Sequence, residues 1–200
     1  HNINLVSSTH FIPQIKQALL LAKQKGLSIP IVYNTNAYEK VESLKLLEGL
    51  IDIYLPDFKY ISPEYSKSYS FAQNNAEYAK KAILEMKRQQ PTTVFDTNGI
   101  LQKGIIIRHL VLPNCYKDSF EILKWIKQNI GEDTYISLLN QYTPMHKAAQ
   151  YKEISRKLTT LEYQKVVNYF FEIGLKNGFM QSKHSATSNY TPIFDLSGLS

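Results

Sequence analysis

Cysteine is nearly absent from this sequence: Cys115 is the one thiol among 200 residues. A single thiol excludes an intramolecular disulfide, and it excludes a zinc or iron–sulfur site built from the cysteines of this chain alone. Long apolar runs are absent as well, and none approaches the roughly 18–20 residues that cross a bilayer. We therefore expect no membrane partner, and a reducing cytoplasm as the location.

Nucleic-acid and hydrolase signatures are also missing. The net charge of +6 is modest, the basic residues are dispersed, and the 14 tyrosines follow no RNA-binding pattern. The sequence has no Gly-rich phosphate loop, no Ser/His/Asp signature and no paired-carboxylate motif. His10, His109 and His146 are not spaced as ligands on one helix, so we expect no metal site and assign no catalytic residue.

What is present is a composition that buries a core, with 44% hydrophobic and 20% charged residues. Apolar spacing predicts strands at residues 2–7, 29–33, 51–55 and 135–140, and a hairpin at 94–107 whose second arm runs on through Leu112. It predicts helices at residues 11–25, 41–50, 72–89, 120–130 and 161–177. This alternation is typical of a parallel α/β sheet. We predict one domain over residues 1–200, with a tail at 181–200.

Polar residues follow each predicted strand, where parallel sheets bind their ligands. Asp57 and Lys59 continue the apolar face of residues 51, 53 and 55 by the period of two. Arg108 lies inside the apolar run IIIRHLVL, where an unpaired guanidinium is costly. Two interpretations remain open: an internal Arg108–Asp57 ion pair that only stabilises the fold, or a clamp for a zwitterion. In the clamp, Lys59 and Arg108 take a carboxylate and Asp57 takes an ammonium group or hydroxyls.

Several blocks carry a resemblance to a known family: residues 52–59 (DIYLPDFK), 105–114 (IIIRHLVLPN), 2–11 (NINLVSSTHF), 30–34 (PIVYN), 136–144 (ISLLNQYTP) and 177–181 (NGFMQ). Together they resemble the radical SAM proteins related to pyruvate formate-lyase-activating enzyme, in the branch of activase homologues. The resemblance runs nearly end to end.

The resemblance implies a partial parallel (β/α) barrel that holds a [4Fe–4S] cluster and S-adenosylmethionine. In that family an electron donor reduces the cluster, and a 5′-deoxyadenosyl radical then abstracts hydrogen from a glycyl radical enzyme or another protein substrate. Carried over by position, the residues that bind S-adenosylmethionine are Ser8, Thr9, His10, Asn34, Thr35, Asn36, Asp57, Lys59, Arg108, Gln141 and Tyr142. Among them, Asp57 and Lys59 match the fourth-strand Asp-x-Lys of the activases, and Arg108 matches their fifth-strand arginine.

The sequence also departs from the family pattern. Asn34 stands where the activases have an aspartate, and Gln141 or Tyr142 falls where they have a histidine. The CxxxCxxC loop follows the family's first strand, whereas this chain starts at the position of the second, and Cys115 lies elsewhere. We therefore expect a barrel that lacks its first strand, with five strands, an exposed edge and no ability to cleave S-adenosylmethionine by itself.

Two other functions compete with an incomplete radical SAM enzyme. The chain could be a cluster-less ligand-binding or scaffold protein of the same fold. It could also be an ordinary α/β enzyme that uses Lys59 or His10 as an acid–base group.

Overall fold

A sheet of six parallel strands organises the computed structural model, which describes residues 1–181. The strands are β1 (Ile3–Val6), β2 (Ile31–Thr35), β3 (Ile53–Pro56), β5 (Leu101–Leu110), β6 (Tyr135–Leu139) and β7 (Asn177–Met180), side by side in that order. A two-residue strand, β4 (Val94–Phe95), pairs antiparallel with β5. Within residues 1–181, β1 and β7 do not pair, so the sheet stays open. The expected fold class, α/β with a partial parallel barrel, is confirmed.

Six helices connect the strands: α1 (Ile12–Gln24), α2 (Val41–Lys45), α3 (Pro63–Ser70), α4 (Asn75–Gln89), α5 (Tyr116–Asn129) and α6 (Thr160–Glu172). Two short 3₁₀ helices span Thr9–Phe11 and His146–Gln150. No helix within residues 1–181 has the length and apolar character that crossing a bilayer requires.

The main core lies between the helices and one face of the sheet. Alternate strand residues such as Tyr33, Tyr54 and Ile107 are fully buried there, against helix residues such as Ile83 and Val166. The residues between them point to the other side, because successive strand side chains alternate. We call that second side the open face and define it by Asn34, Leu55, Asp57, Arg108 and Leu110, all partly exposed.

The expectation of five strands is wrong because no strand was predicted after the last helix, whose expected end at Asn177 is the first residue of β7. That helix does begin at a capping box, in which Thr159 and Glu162 bond each other's backbone N–H groups. It ends before Gly174, whose φ of +79° suits a helix C-terminus, and not at Gly178. Gly178 lies in β7, where an added Cβ would come within 2.9 Å of the Phe170 ring on α6.

Other predicted elements are close to the observed ones. The hairpin turns at Asn98-Gly99, where the Asp96 carboxylate accepts hydrogen bonds from the backbone N–H groups of Asn98 and Ile100. The helix expected at 41–50 is shorter in the structure: α2 ends at Lys45, and the chain continues in turns. Helix α3 was not predicted at all. Of the tail predicted at 181–200, residues 182–200 lie outside the described residues.

Candidate functional site

Three open-face residues from three neighbouring strands form a hydrogen-bonded cluster at the carboxyl edge of the sheet. One Nη of Arg108 donates to Asp57 Oδ1 and to Asn34 Oδ1, each at 2.6 Å. The backbone fixes this meeting, since Asp57 and Arg108 form a parallel bridge just beyond the end of β3. We call Asn34, Asp57, Lys59 and Arg108 the edge cluster.

The Arg108–Asp57 ion pair anticipated as one interpretation is therefore formed. Its two side chains are only partly exposed, at 26% for Arg108 and 23% for Asp57. The pair does not use all of the guanidinium, because the Arg108 Nε is buried and has no hydrogen-bond partner among residues 1–181. An arginine held this way is fixed in position and keeps hydrogen-bonding capacity for a further acceptor.

Lys59 is the most accessible cation of the edge cluster. Its Nζ lies 3.9 Å from Asp57 Oδ2, and 42% of the side chain is exposed. A contact of that length is at the limit of an ion pair and leaves the ammonium group free to bind another anion. The edge cluster thus places two cations, a carboxylate and an amide on one edge. That donor set matches an amino acid zwitterion, with its carboxylate on the cations and its ammonium on Asp57.

Two predicted binding residues, Thr9 and Thr35, lie on the other side of the sheet. Both hydroxyls bond the buried carboxylate of Glu39, which also accepts a hydrogen bond from the Tyr33 hydroxyl at 2.9 Å. Glu39 is only 2% exposed, and burial raises its pKa because the charged form loses its hydration. These contacts tie the loop after β2 to the 3₁₀ helix that precedes α1, away from Asn34.

The sequence analysis did not identify Glu39, although the alternation of side chains along β2 was a signal. It places Thr35 on the same face of the sheet as Tyr33 and on the opposite face from Asn34. Residues 34–36 therefore could not all contribute to one binding site. Asn36 lies beyond the end of β2, and its side chain accepts a hydrogen bond from the backbone N–H of Tyr38 in an exposed turn.

The predicted residues that follow β1 and β6 are also outside the edge cluster. Ser8 has a buried hydroxyl oxygen next to Tyr33, and His10 is exposed on the first 3₁₀ helix. The Gln141 side chain accepts a hydrogen bond from the Gln181 amide at 3.1 Å. The Tyr142 hydroxyl donates to the Ile154 carbonyl at 2.8 Å, and its ring lines a cavity described below.

Metal ligands do not converge in the described part of the chain. Among residues 1–181, no group of three His, Cys, Asp or Glu side chains is arranged to hold a metal ion. Cys115 is buried, and burial raises the pKa of its thiol to about 11, so it stays protonated at neutral pH. His109 is a structural residue whose two ring nitrogens bond the Phe58 carbonyl and the Ser119 hydroxyl, each at 2.8 Å.

Known structures share this arrangement of strands and helices. A crystal structure of a domain of pyruvate-formate lyase-activating enzyme from Bacteroides vulgatus matches 91% of this chain and 98% of that domain, with a TM-score of 0.63 and 13% sequence identity. This chain has the fold of that domain. The identity is too low to carry over residue roles, so the match shows the fold alone.

Sequence comparison gives one curated relative and no family assignment. The chain is 32% identical over 170 residues to the uncharacterized protein MJ0674 of Methanocaldococcus jannaschii. The match covers 83% of this chain but 45% of that protein, so the chain spans less than half of its relative's length. No family model matches the sequence.

Proposed function

We propose that this chain is the S-adenosylmethionine-binding part of a cytoplasmic radical SAM enzyme that resembles the activases of glycyl radical enzymes. The observation that carries the proposal is the edge cluster, in which one Nη of Arg108 lies 2.6 Å from Asp57 Oδ1 and 2.6 Å from Asn34 Oδ1. Support for the reaction class comes from the fold shared with the activase domain. The match of Asp57, Lys59 and Arg108 to the activase pattern adds to it.

The residues of the edge cluster suit the methionine portion of S-adenosylmethionine. In this proposal Lys59 and the remaining guanidinium donors of Arg108 bind the carboxylate, and Asp57 binds the ammonium group. Asn34 orients Arg108 through the 2.6 Å hydrogen bond. Ser8, Thr9, His10, Thr35, Asn36, Gln141 and Tyr142 have no such contact with the edge cluster and are weaker candidates.

A [4Fe–4S] cluster does not fit the described residues of this chain. Three thiolates are needed, whereas the single cysteine is buried and protonated. The proposal therefore places the cluster ligands on a segment outside this chain, and the chain by itself is inactive. A cluster held by that segment would supply the electron for cleavage of the sulfonium. This chain's own residues bind and orient the cofactor.

The partners follow from this assignment. The proposed partners are an external electron donor and a glycyl radical enzyme or another protein substrate, which would supply the hydrogen atom. The complete protein, reconstituted under anaerobic conditions with iron, sulfide and a reductant, is expected to form 5′-deoxyadenosine from S-adenosylmethionine. A fully loaded protein that forms none would contradict the proposed reaction.

A second function is favoured by the lone, buried Cys115: a cluster-less ligand-binding or scaffold protein of the same fold. Iron analysis separates the two functions. The enzyme is expected to take up about four iron atoms per chain on reconstitution. A complete protein that binds S-adenosylmethionine and takes up no iron would support the binding protein.

A further inference from the structure

A second cluster of apolar residues, separate from the main core, lies beyond the ends of β3, β5 and β6. It is built on Tyr60, Leu112, Cys115 and Ile154. This cluster borders a cavity of about 560 Å³ whose walls come from α3, the end of β6 and the segment before α6. Three separate stretches of chain converge on this cavity. Its volume is in the range of pockets that bind small molecules. We call it the tyrosine cavity.

The walls of the tyrosine cavity include four tyrosine rings, those of Tyr60, Tyr69, Tyr142 and Tyr151. Three of the hydroxyls already have partners. Ser70 donates to the Tyr60 hydroxyl, Tyr69 donates to Glu153, and Tyr142 donates to the Ile154 carbonyl, at 2.8–3.1 Å. The rings therefore present carbon edges and faces to the cavity, which favour another aromatic ring.

The charge at the rim of the cavity is positive. Lys147 lines it, with its Nζ 5.4 Å from the centroid of the Phe71 ring, and Phe71 is 76% exposed. No Asp or Glu is among the lining residues, and within residues 1–181 no carboxylate lies within 4.0 Å of Lys147 Nζ. The Glu153 carboxylate accepts the hydrogen bond of Tyr69 but is not among the lining residues. The rim thus suits an anionic group.

We propose that the tyrosine cavity binds a small aromatic carboxylate, with its ring between the tyrosines and its carboxylate on Lys147. None of the four edge-cluster residues lines the cavity. Binding of the acid does not rest on the proposed function. If the chain is part of a radical SAM enzyme, the position of the cavity at the same edge of the sheet makes the bound acid a candidate substrate.

The test is direct titration of the 200-residue chain by calorimetry with three matched ligands. We expect 3-phenylpropionate to bind more tightly than 3-phenylpropanamide, which lacks the charge, and than 3-cyclohexylpropionate, which lacks the aromatic ring. Lys147→Gln is expected to weaken 3-phenylpropionate binding about fivefold to tenfold and to leave the amide unchanged. Lys152→Gln, on an exposed lysine of the same segment, is the matched control and keeps the original affinity.

A second variant tests the ring contacts. Tyr151→Leu retains apolar volume but removes one ring, so it is expected to reduce the preference for the phenyl over the cyclohexyl acid. Equal binding of all three ligands, or no binding at millimolar concentration, would overturn the proposal. Displacement of the acid by S-adenosylmethionine would assign the cavity to the cofactor site. Tighter binding of a blocked Phe-Asp dipeptide than of the free acid would assign it to a protein partner.

Discussion

Acidification is expected to destabilise this protein through His109, and the structure gives the size of the effect. His109 is 2% exposed, and burial lowers its pKa from 6.5 to about 4. The Phe58 carbonyl can only accept a hydrogen bond, so Nδ1 carries the proton and Nε2 accepts from the Ser119 hydroxyl. Protonation would place a charge on a ring that has no contact with water.

The sign follows from where the proton binds. After unfolding, the His109 pKa returns to its ordinary value of 6.5, so between pH 6.5 and 4 the unfolded chain binds a proton that the folded chain does not. Stability is therefore full above pH 6.5 and is lost as the pH falls toward 4. A pKa difference of about 2.5 corresponds to about 3.4 kcal/mol, of which about 2.5 kcal/mol is lost by pH 4.5.

Urea unfolding at a series of pH values from 7.5 to 4.5 measures this loss. His109→Asn does not titrate and retains a donor for the Phe58 carbonyl, so its stability curve is expected to lack this part of the pH slope. His146→Asn is the control, because that histidine is exposed and its φ of +49° suits asparagine. Parallel curves for the parent protein and His109→Asn would refute the reasoning.

Two further predictions concern the edge cluster and the cysteine. Asp57→Asn removes the carboxylate that bonds Arg108 at 2.6 Å, and we expect it to lower the free energy of unfolding by about 2–3 kcal/mol in urea titration. The control Asp133→Asn, which changes an exposed carboxylate, is expected to alter that free energy little. Cys115 is buried with its pKa raised to about 11, so iodoacetamide at pH 8 should alkylate the folded chain on the order of 100-fold more slowly than the urea-unfolded chain. Equal alkylation rates would show that the thiol is accessible.

Hydrophobic periodicity was sufficient to predict most of the sheet, since five of the six parallel strands carry short apolar runs. Strand β7 has the sequence NGFM, which contains two apolar residues and a glycine. Its stability comes from pairing with β6 and from contact with Phe170, which are long-range features that a local pattern does not encode. Helix α3 has the sequence PEYSKSYS, whose tyrosines pack outside the main core, so helical apolar spacing was weak.

The edge cluster was partly predictable for a different reason. The period of two placed Asp57 and Lys59 on one face, and an arginine inside an apolar strand requires a carboxylate. These two rules gave the Arg108–Asp57 ion pair as one of two open interpretations, and the structure contains that pair. The Glu39 site was not predictable in the same way, because its partners Thr9 and Tyr33 come from the segment after β1 and from the middle of β2. Their contact depends on how the loop after β2 folds back.

Binding of S-adenosylmethionine to this 200-residue chain is the most direct test of the proposed function. Calorimetric titration of the parent chain is compared with Lys59→Gln and with Lys67→Gln, which changes an exposed lysine on α3. We expect the parent chain and Lys67→Gln to bind S-adenosylmethionine with equal affinity and Lys59→Gln to bind about tenfold more weakly, because one carboxylate contact is lost. Undiminished affinity in Lys59→Gln, or no binding by the parent chain, would contradict the edge cluster as the cofactor site.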